Sequence, residues 1–252
     1  MAIHMERKNY FFNDFTEANY RRLLNIAKRK YRFIRYEEID RHDSYILWRH
    51  DIDCSPHRSL SLAKIEHKEG ISSTHFILLN SNFYNVFEHE IKDILKHINL
   101  LGHCLGLHFD ASAYPILSKG DLRKWLIFEK RILQSLLNIE IKVFSYHNPN
   151  PNILKYNEFR YAGMVNAYSK YFKTEVKYCS DSNGYWRYER LENVLVEGKH
   201  PKVQVLTHPE WWQKTAMSPR ERISRCIEGR AKKVSLLYDR FLEVNERENI
   251  GR

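Results

Sequence analysis

Seven short apolar runs, rich in β-branched and aromatic residues, recur along the chain: YILWRH (45–50), STHFILLN (73–80), HCLGLHF (103–109), IKVFSYH (141–147), GMVNAYS (163–169), TEVKYCS (174–180) and KVQVLTH (202–208). Each reads as a candidate strand. Helical patterns fill several of the gaps between them. SPHRSLSLAKIEHKE (55–69) opens with Ser-Pro, a cap followed by a first-turn proline. NVFEHEIKDILKHINLL (85–101) and DLRKWLIFEKRILQSLLN (121–138) each carry one wide apolar face. Further helices are expected over 16–30 and 219–247. Strands alternating with helices produce βαβ units and a parallel sheet, and seven candidate strands in 252 residues favour an α/β barrel over an open sheet. A single domain over 1–252 is expected, with helical additions before 45 and after 215.

Composition narrows the classes that remain. No apolar stretch approaches the ~18 residues of a membrane span. The first residues, MAIHMERKNYFFND, lack the apolar core of a signal peptide, so the expected compartment is the cytoplasm. Cys54, Cys104, Cys179 and Cys226 are widely spaced and are expected to be free thiols. The net charge of +10 is spread along helical segments such as RRLLNIAKRKYR, with no nucleic-acid-binding signature. It is read as a basic solvated surface, capable of weak association with an anionic membrane but not of nucleic-acid recognition.

The polar residues at the ends of the runs are the functional signal. The first run is followed by His50, Asp51 and Asp53, the second by Asn80, the third by His108 and Asp110. The fourth ends in His147 and Asn148, the sixth in Asp181, the last in His208. In an α/β barrel the site lies at the carboxyl ends of the strands, so these groups should converge on one mouth. Asp and neutral His suit Zn²⁺ or another divalent metal, which lowers the pKa of bound water while a second carboxylate takes the proton. Alternation places Asp51 and Asp53 on one side, one to ligate and one to act as base. Asp53 can equally belong to a helix start at Ser55-Pro56, and His147 in YHNPNP can be a turn residue. His50, which faces away from Asp51, and His75 and His103, at the start of or inside strands, are read as structural. Trp186 and Trp211 follow strand ends closely and offer flat rings for stacking on a sugar, or core anchors.

RHDID (49–53), GHCLGLHFD (102–110), SYHNP (145–149), SDSNGYW (180–186) and LTHPEWW (206–212) together resemble the NodB-like polysaccharide deacetylase superfamily (carbohydrate esterase family 4-like), in its branch associated with bacterial lipopolysaccharide and capsule biosynthesis. The resemblance runs from about 45 to 212. It implies a distorted (β/α)7 barrel and a metal-dependent hydrolase, acting on C–N bonds other than peptide bonds, that removes acetyl groups from an N-acetylated sugar. Asp51 would be the base and Asp53 and His108 metal ligands; His208 would be the general acid, and Asp181 and Trp186, with Trp211, would shape the substrate pocket. The superfamily's second metal histidine falls at Ser112 here, so His147 is the candidate third ligand, with Asp110 behind it. His147 can alternatively orient Asp51. The acetamido-sugar substrate would be nucleotide-linked or lipid-linked. The alternative is a barrel that no longer catalyses and binds a glycan or a glycosyltransferase partner.

Overall fold

A computed structural model describes residues 10–251. In chain order its regular elements are α1 (Glu17–Lys28), β1 (Tyr45–Ile52), α2 (Pro56–Lys68), β2 (Thr74–Leu78), α3 (His89–Leu100), β3 (Cys104–Phe109), α4 (Lys119–Leu137), β4 (Val143–Tyr146), α5 (Pro151–Leu154), β5 (Arg160–Tyr161), β6 (Met164–Asn166), α6 (Lys170–Thr174), β7 (Lys177–Ser180), α7 (Leu191–Glu197), β8 (Lys202–Thr207) and α8 (Pro219–Val244). The strands form one mixed sheet in the order β5-β6-β4-β3-β2-β1-β8-β7. All pairs are parallel except β5 with β6. The seven expected strands are thus the seven parallel ones, wrapped by helices as a barrel-like α/β fold. Among the described residues no ladder joins β7 to β5 or β6, so the curved sheet is a half-barrel with one open seam.

The extra strand β5 comes from a tight hairpin. Ala162 and Gly163 both adopt positive φ, 51° and 75°, which suits a two-residue turn. Two-residue strands carry no periodicity that sequence reading can detect, and the short helices α5 to α7 escape for the same reason. Capping sets the helix boundaries. Ser55 caps α2 by accepting from the Arg58 N–H at 3.2 Å. Ser118 and Asp121 form a reciprocal capping box that starts α4 at Lys119. α3 starts at His89 rather than 85 because the Asn85 side chain accepts from the Phe87 N–H (3.0 Å) and holds a turn there.

β1 is the central feature of the sheet. All eight of its residues are buried, including Arg49, His50 and Asp51. Charged groups are buried at this depth only when paired, so the strand must carry polar clusters on both faces. Gly106 of β3 keeps one of those faces packed: a Cβ there would lie 2.7 Å from the Phe76 ring. Because the strands are parallel, their carboxyl ends share one rim, with His50 level with Thr207, and Leu78 with His108.

Candidate metal centre

Asp53 follows β1 directly, and the helix start beyond it uses Ser55 as its cap, which leaves the Asp53 carboxylate free. His108 lies near the end of β3, His147 follows β4 and His208 follows β8. Asp53 Oδ1 is 3.2 Å from His108 Nε2 and 3.4 Å from His147 Nδ1, and the two nitrogens are 3.2 Å apart. Ligands ~2.0–2.1 Å from a tetrahedral divalent ion stand about 3.4 Å from one another, so this triangle has the right size. Asp53 Oδ1 is buried with no hydrogen-bond donor. An orphaned oxygen beside two ring nitrogens is what a cation would satisfy. The donor set and its spacing fit a divalent metal.

Each histidine is held from behind. His108 Nδ1 lies 2.7 Å from the Ser145 hydroxyl; when it donates there, Nε2 presents a lone pair to the centre. The Asn148 amide lies 2.9 Å from His147 Nε2, and with its oxygen turned inward it accepts that proton and frees Nδ1. Asp110 is outside the triangle. Its oxygens accept from the Ser112 N–H and hydroxyl and from the Asn80 amide. Burial opposes ionisation of Asp53, yet the adjacent His108 and His147 rings, with His208 beyond, hold it far below the usual carboxylate range.

Asp51 stands beside the triangle, its Oδ2 3.6 Å from His108 Nε2. Arg49, fully buried, donates to the same Oδ2 at 2.9 Å. The Phe76 and Tyr168 rings sandwich the guanidinium at 5.3 and 5.0 Å. Burial opposes its charge, but Asp51 more than compensates and keeps Arg49 cationic. Asp51 Oδ1 has no partner. Arg49 therefore orients Asp51, a role that sequence reasoning offered only to His147. The signal was present: the alternation that pairs Asp51 with Asp53 also puts Arg49 on that face.

His208 approaches from the other side, its Nε2 3.9 Å from Asp53 Oδ2. Its Nδ1 donates to Asp181 Oδ1 at 2.7 Å. Burial alone would favour neutral His208, but the Asp181 carboxylate, with Asp53 beyond it, pushes it up to about 10. Asp181 is fully buried and also accepts from the His208 N–H and from Trp212 Nε1 (3.0 Å). This corrects its expected place in the substrate pocket: it has no exposed oxygen to offer and instead positions His208. Trp211 and Trp186 are corrected likewise. Trp211 is buried in the core. Trp186 packs on Phe15, with ring centroids 5.2 Å apart, and donates to Asp14. Neither lines the cleft, a cavity of about 360 Å³ whose walls beyond the polar centre include Tyr146, Tyr168, Tyr178, Arg187 and Leu206.

A second histidine–carboxylate cluster lies behind β1. His50 Nε2 is 2.6 Å from Glu66 Oε1, and Tyr20 also donates to that oxygen. The Ser73 hydroxyl sits 2.7 Å from Glu66 Oε2, 2.9 Å from His75 Nε2 and 3.0 Å from His103 Nδ1. The outer nitrogens meet Thr207, Ser59 and the Ala63 carbonyl. Every member is fully buried or nearly so, and none of these four side chains has an unpartnered atom. Burial opposes ionisation of Glu66, but His50 keeps it well below its ordinary value, while burial pushes His75 down to about 3. His50, His75 and His103 thus tie the fold together from within, His50 on the rear face that the alternation along β1 gives it.

No protein-family model matches the chain, and no curated protein does. Among solved structures it is similar to a mutant of a CE4 family pseudoenzyme from Bacillus anthracis with restored enzymatic activity (16% identity, TM-score 0.44, covering 75% of this chain and 62% of that one). The chain thus spans less than two thirds of that protein's length. It is also similar to a family 4 acetyl xylan esterase from Clostridium thermocellum in complex with a cobalt ion (14%, 0.43, covering 75% and 84%). A third similar structure is a mutant of peptidoglycan deacetylase PdaC from Bacillus subtilis (12%, 0.44, covering 81% and 96%). No helix among the described residues is long and apolar enough to cross a membrane.

Proposed function

We propose that the protein is a metal-dependent carbohydrate N-deacetylase, a single catalytic domain that hydrolyses the acetamido group of a nucleotide-linked or lipid-linked sugar during surface-polysaccharide biosynthesis in the cytoplasm. The observation that carries this reading is the triangle of Asp53, His108 and His147, with edges of 3.2–3.4 Å, beside a carboxylate locked to a buried arginine. These three residues would hold a divalent ion, and their donor set suits Zn²⁺. When bound, the metal polarises the acetyl carbonyl and acidifies a water. Asp51, oriented by Arg49 and with its Oδ1 unpartnered, is placed to accept a proton from a water attacking the acetyl carbonyl carbon. His208 is kept protonated by Asp181 and donates from Nε2 to the departing amine. Tyr168 and Tyr178 wall the cleft.

The test is metal analysis of the purified protein beside Asp53→Ala and His108→Ala, followed by acetate release from N-acetylated sugars. About one equivalent of Zn²⁺ or a similar metal in the wild type, absent from both variants, with acetate released only by the wild type, is the expected result. A protein that takes up no metal even from excess sinks the reading. Metal with glycan binding but no acetate from any acetamido sugar moves the conclusion to a non-catalytic glycan-binding barrel.

A further inference from the structure

One arginine at the cleft has no carboxylate to answer it. Arg187 lines the same cavity as Asp51, Asp53 and His208. Among the described residues it makes no ion pair and no hydrogen bond; its guanidinium lies over the exposed Tyr188 ring, 5.3 Å from the centroid. The carboxylates of the cleft and of the loop that carries Arg187 are committed elsewhere. Asp51 pairs with Arg49, Asp53 with the His108 and His147 rings, Asp181 with His208 and Glu189 with Lys177. The loop itself is held on both sides of Arg187. Asp14, buried, accepts from Trp186 Nε1 at 3.1 Å and from Arg190 Nε and Nη2 at 2.6 and 2.5 Å, so one carboxylate ties down both flanks. Just upstream, Asn183 and Gly184 turn the chain at φ 59° and 77°, and fully buried Arg222 donates to the Gly184 carbonyl at 3.2 Å. A Cβ on Gly184 would lie 3.0 Å from Pro219 and 3.1 Å from Trp211, so the turn suits glycine.

We infer that Arg187 binds a phosphate on the anomeric carbon of the acetamido sugar and so selects a phosphate-linked sugar over a neutral glycan. This rests on the deacetylase reading above and names the residue that reads the carrier. A guanidinium presents a planar fork that matches two phosphate oxygens. Stacking on Tyr188 occupies its face and leaves the N–H edge open. The charge balance points the same way. Arg49 with Asp51 and His208 with Asp181 are neutral as pairs, so Arg187 adds a positive charge that an anionic ligand offsets and a neutral polymer does not. Nucleotide-linked and lipid-linked sugars both carry phosphate at the anomeric carbon. The cavity between α2 and α8 is also lined by cations, but Arg58, Arg230 and Lys233 there are bound to Glu17, Glu88 and Glu90.

The test is titration calorimetry on the metal-loaded Asp51→Asn protein, chosen so that the ligand is not consumed. The ligands are the 1-phosphates of N-acetylglucosamine and N-acetylgalactosamine, each beside its neutral methyl glycoside. The phosphate should tighten binding of at least one sugar by about 10–100-fold, and Arg187→Ala should remove that gain. Arg187→Lys, a point charge without the fork, should keep part of it. Arg32→Ala, an exposed arginine beside the amino end of β1, should leave the gain intact. Tighter binding of UDP-N-acetylglucosamine, or of farnesyl diphosphate-linked N-acetylglucosamine, than of the 1-phosphate supports the inference and tells the two carriers apart. Equal affinity for phosphorylated and neutral sugars overturns it, as does binding of neither or a gain that survives Arg187→Ala. These are binding results and stand whether or not acetate is released. Phosphate-dependent binding without acetate release from the wild type would sink the deacetylase reading and leave Arg187 as the phosphate-binding residue.

Discussion

On the cleft side of β1, Asp53, His108 and His147 keep their donor atoms 3.2–3.4 Å apart around an oxygen with no proton donor. On the other side, His50 and Glu66 close to 2.6 Å, and serine and tyrosine hydroxyls occupy the middle of the group. Both clusters join histidines to a carboxylate with donor atoms close enough to share one ion, and residue type alone does not separate them. Spacing does. A hydrogen bond draws heavy atoms together with one shared proton, whereas ligands around an ion repel each other and need the third body to hold them. The first cluster is incomplete by itself and chemically available; the second is closed and serves the fold.

The sharpest way to break this contrast is Asp51→Asn. It should lower acetate release about 10²–10⁴-fold while metal content stays at the wild-type level, because Asp51 is placed as base and not as ligand. Loss of the metal along with the activity would merge Asp51 into the coordination set. The next largest effect should fall on stability. Glu66→Ala strips the carboxylate from a buried pair and should cost about 3–5 kcal/mol in chemical denaturation, with the metal content of the folded protein unchanged. A cost under about 1 kcal/mol would mean that the rear network holds nothing together.

A third buried carboxylate sharpens the point from the other direction. Among the described residues Glu129 has no cationic partner, only the Tyr114 hydroxyl at 2.6 Å. Burial accordingly pushes its carboxyl up to about 7. The folded state holds this proton more tightly than the unfolded chain does. Its stabilising contribution is therefore full below the ordinary carboxyl pKa and is lost as pH rises through 7. Glu129→Gln should leave stability nearly unchanged at pH 4 and raise it by about 1–3 kcal/mol at pH 8. Equal effects at both pH values would show that Glu129 ionises freely in the fold.

Much of this was legible in the sequence because period and position carry it. The seven parallel strands, and the convergence of Asp51, Asp53, His108, His147 and His208 on one rim, follow from apolar runs that end in polar residues. What escaped depended on side-chain reach. Asp181 sits at a strand end like the others, but its neighbours His208 and Trp212 come from a loop nearly thirty residues later and turn it inward. The indole that meets it belongs to Trp212, one residue beyond the expected Trp211, and no local pattern distinguishes them. Arg49 was missed by stopping an alternation one step early.

The back-to-back placement of the two clusters on β1 also bears on how the chain can change over generations. Arg49 and Asp51 face the cleft, and His50 between them faces the rear. One residue added or lost within Tyr45–Trp48 would send every later side chain of the strand to the opposite face. His50 would enter the cleft, while Asp51 would be parted from its place beside Asp53 and turned toward the like-charged Glu66. Substitutions here can be graded, but a change in length cannot. The spacing of this strand should accordingly be the least negotiable feature of the chain, more so than the identity of any one residue in it.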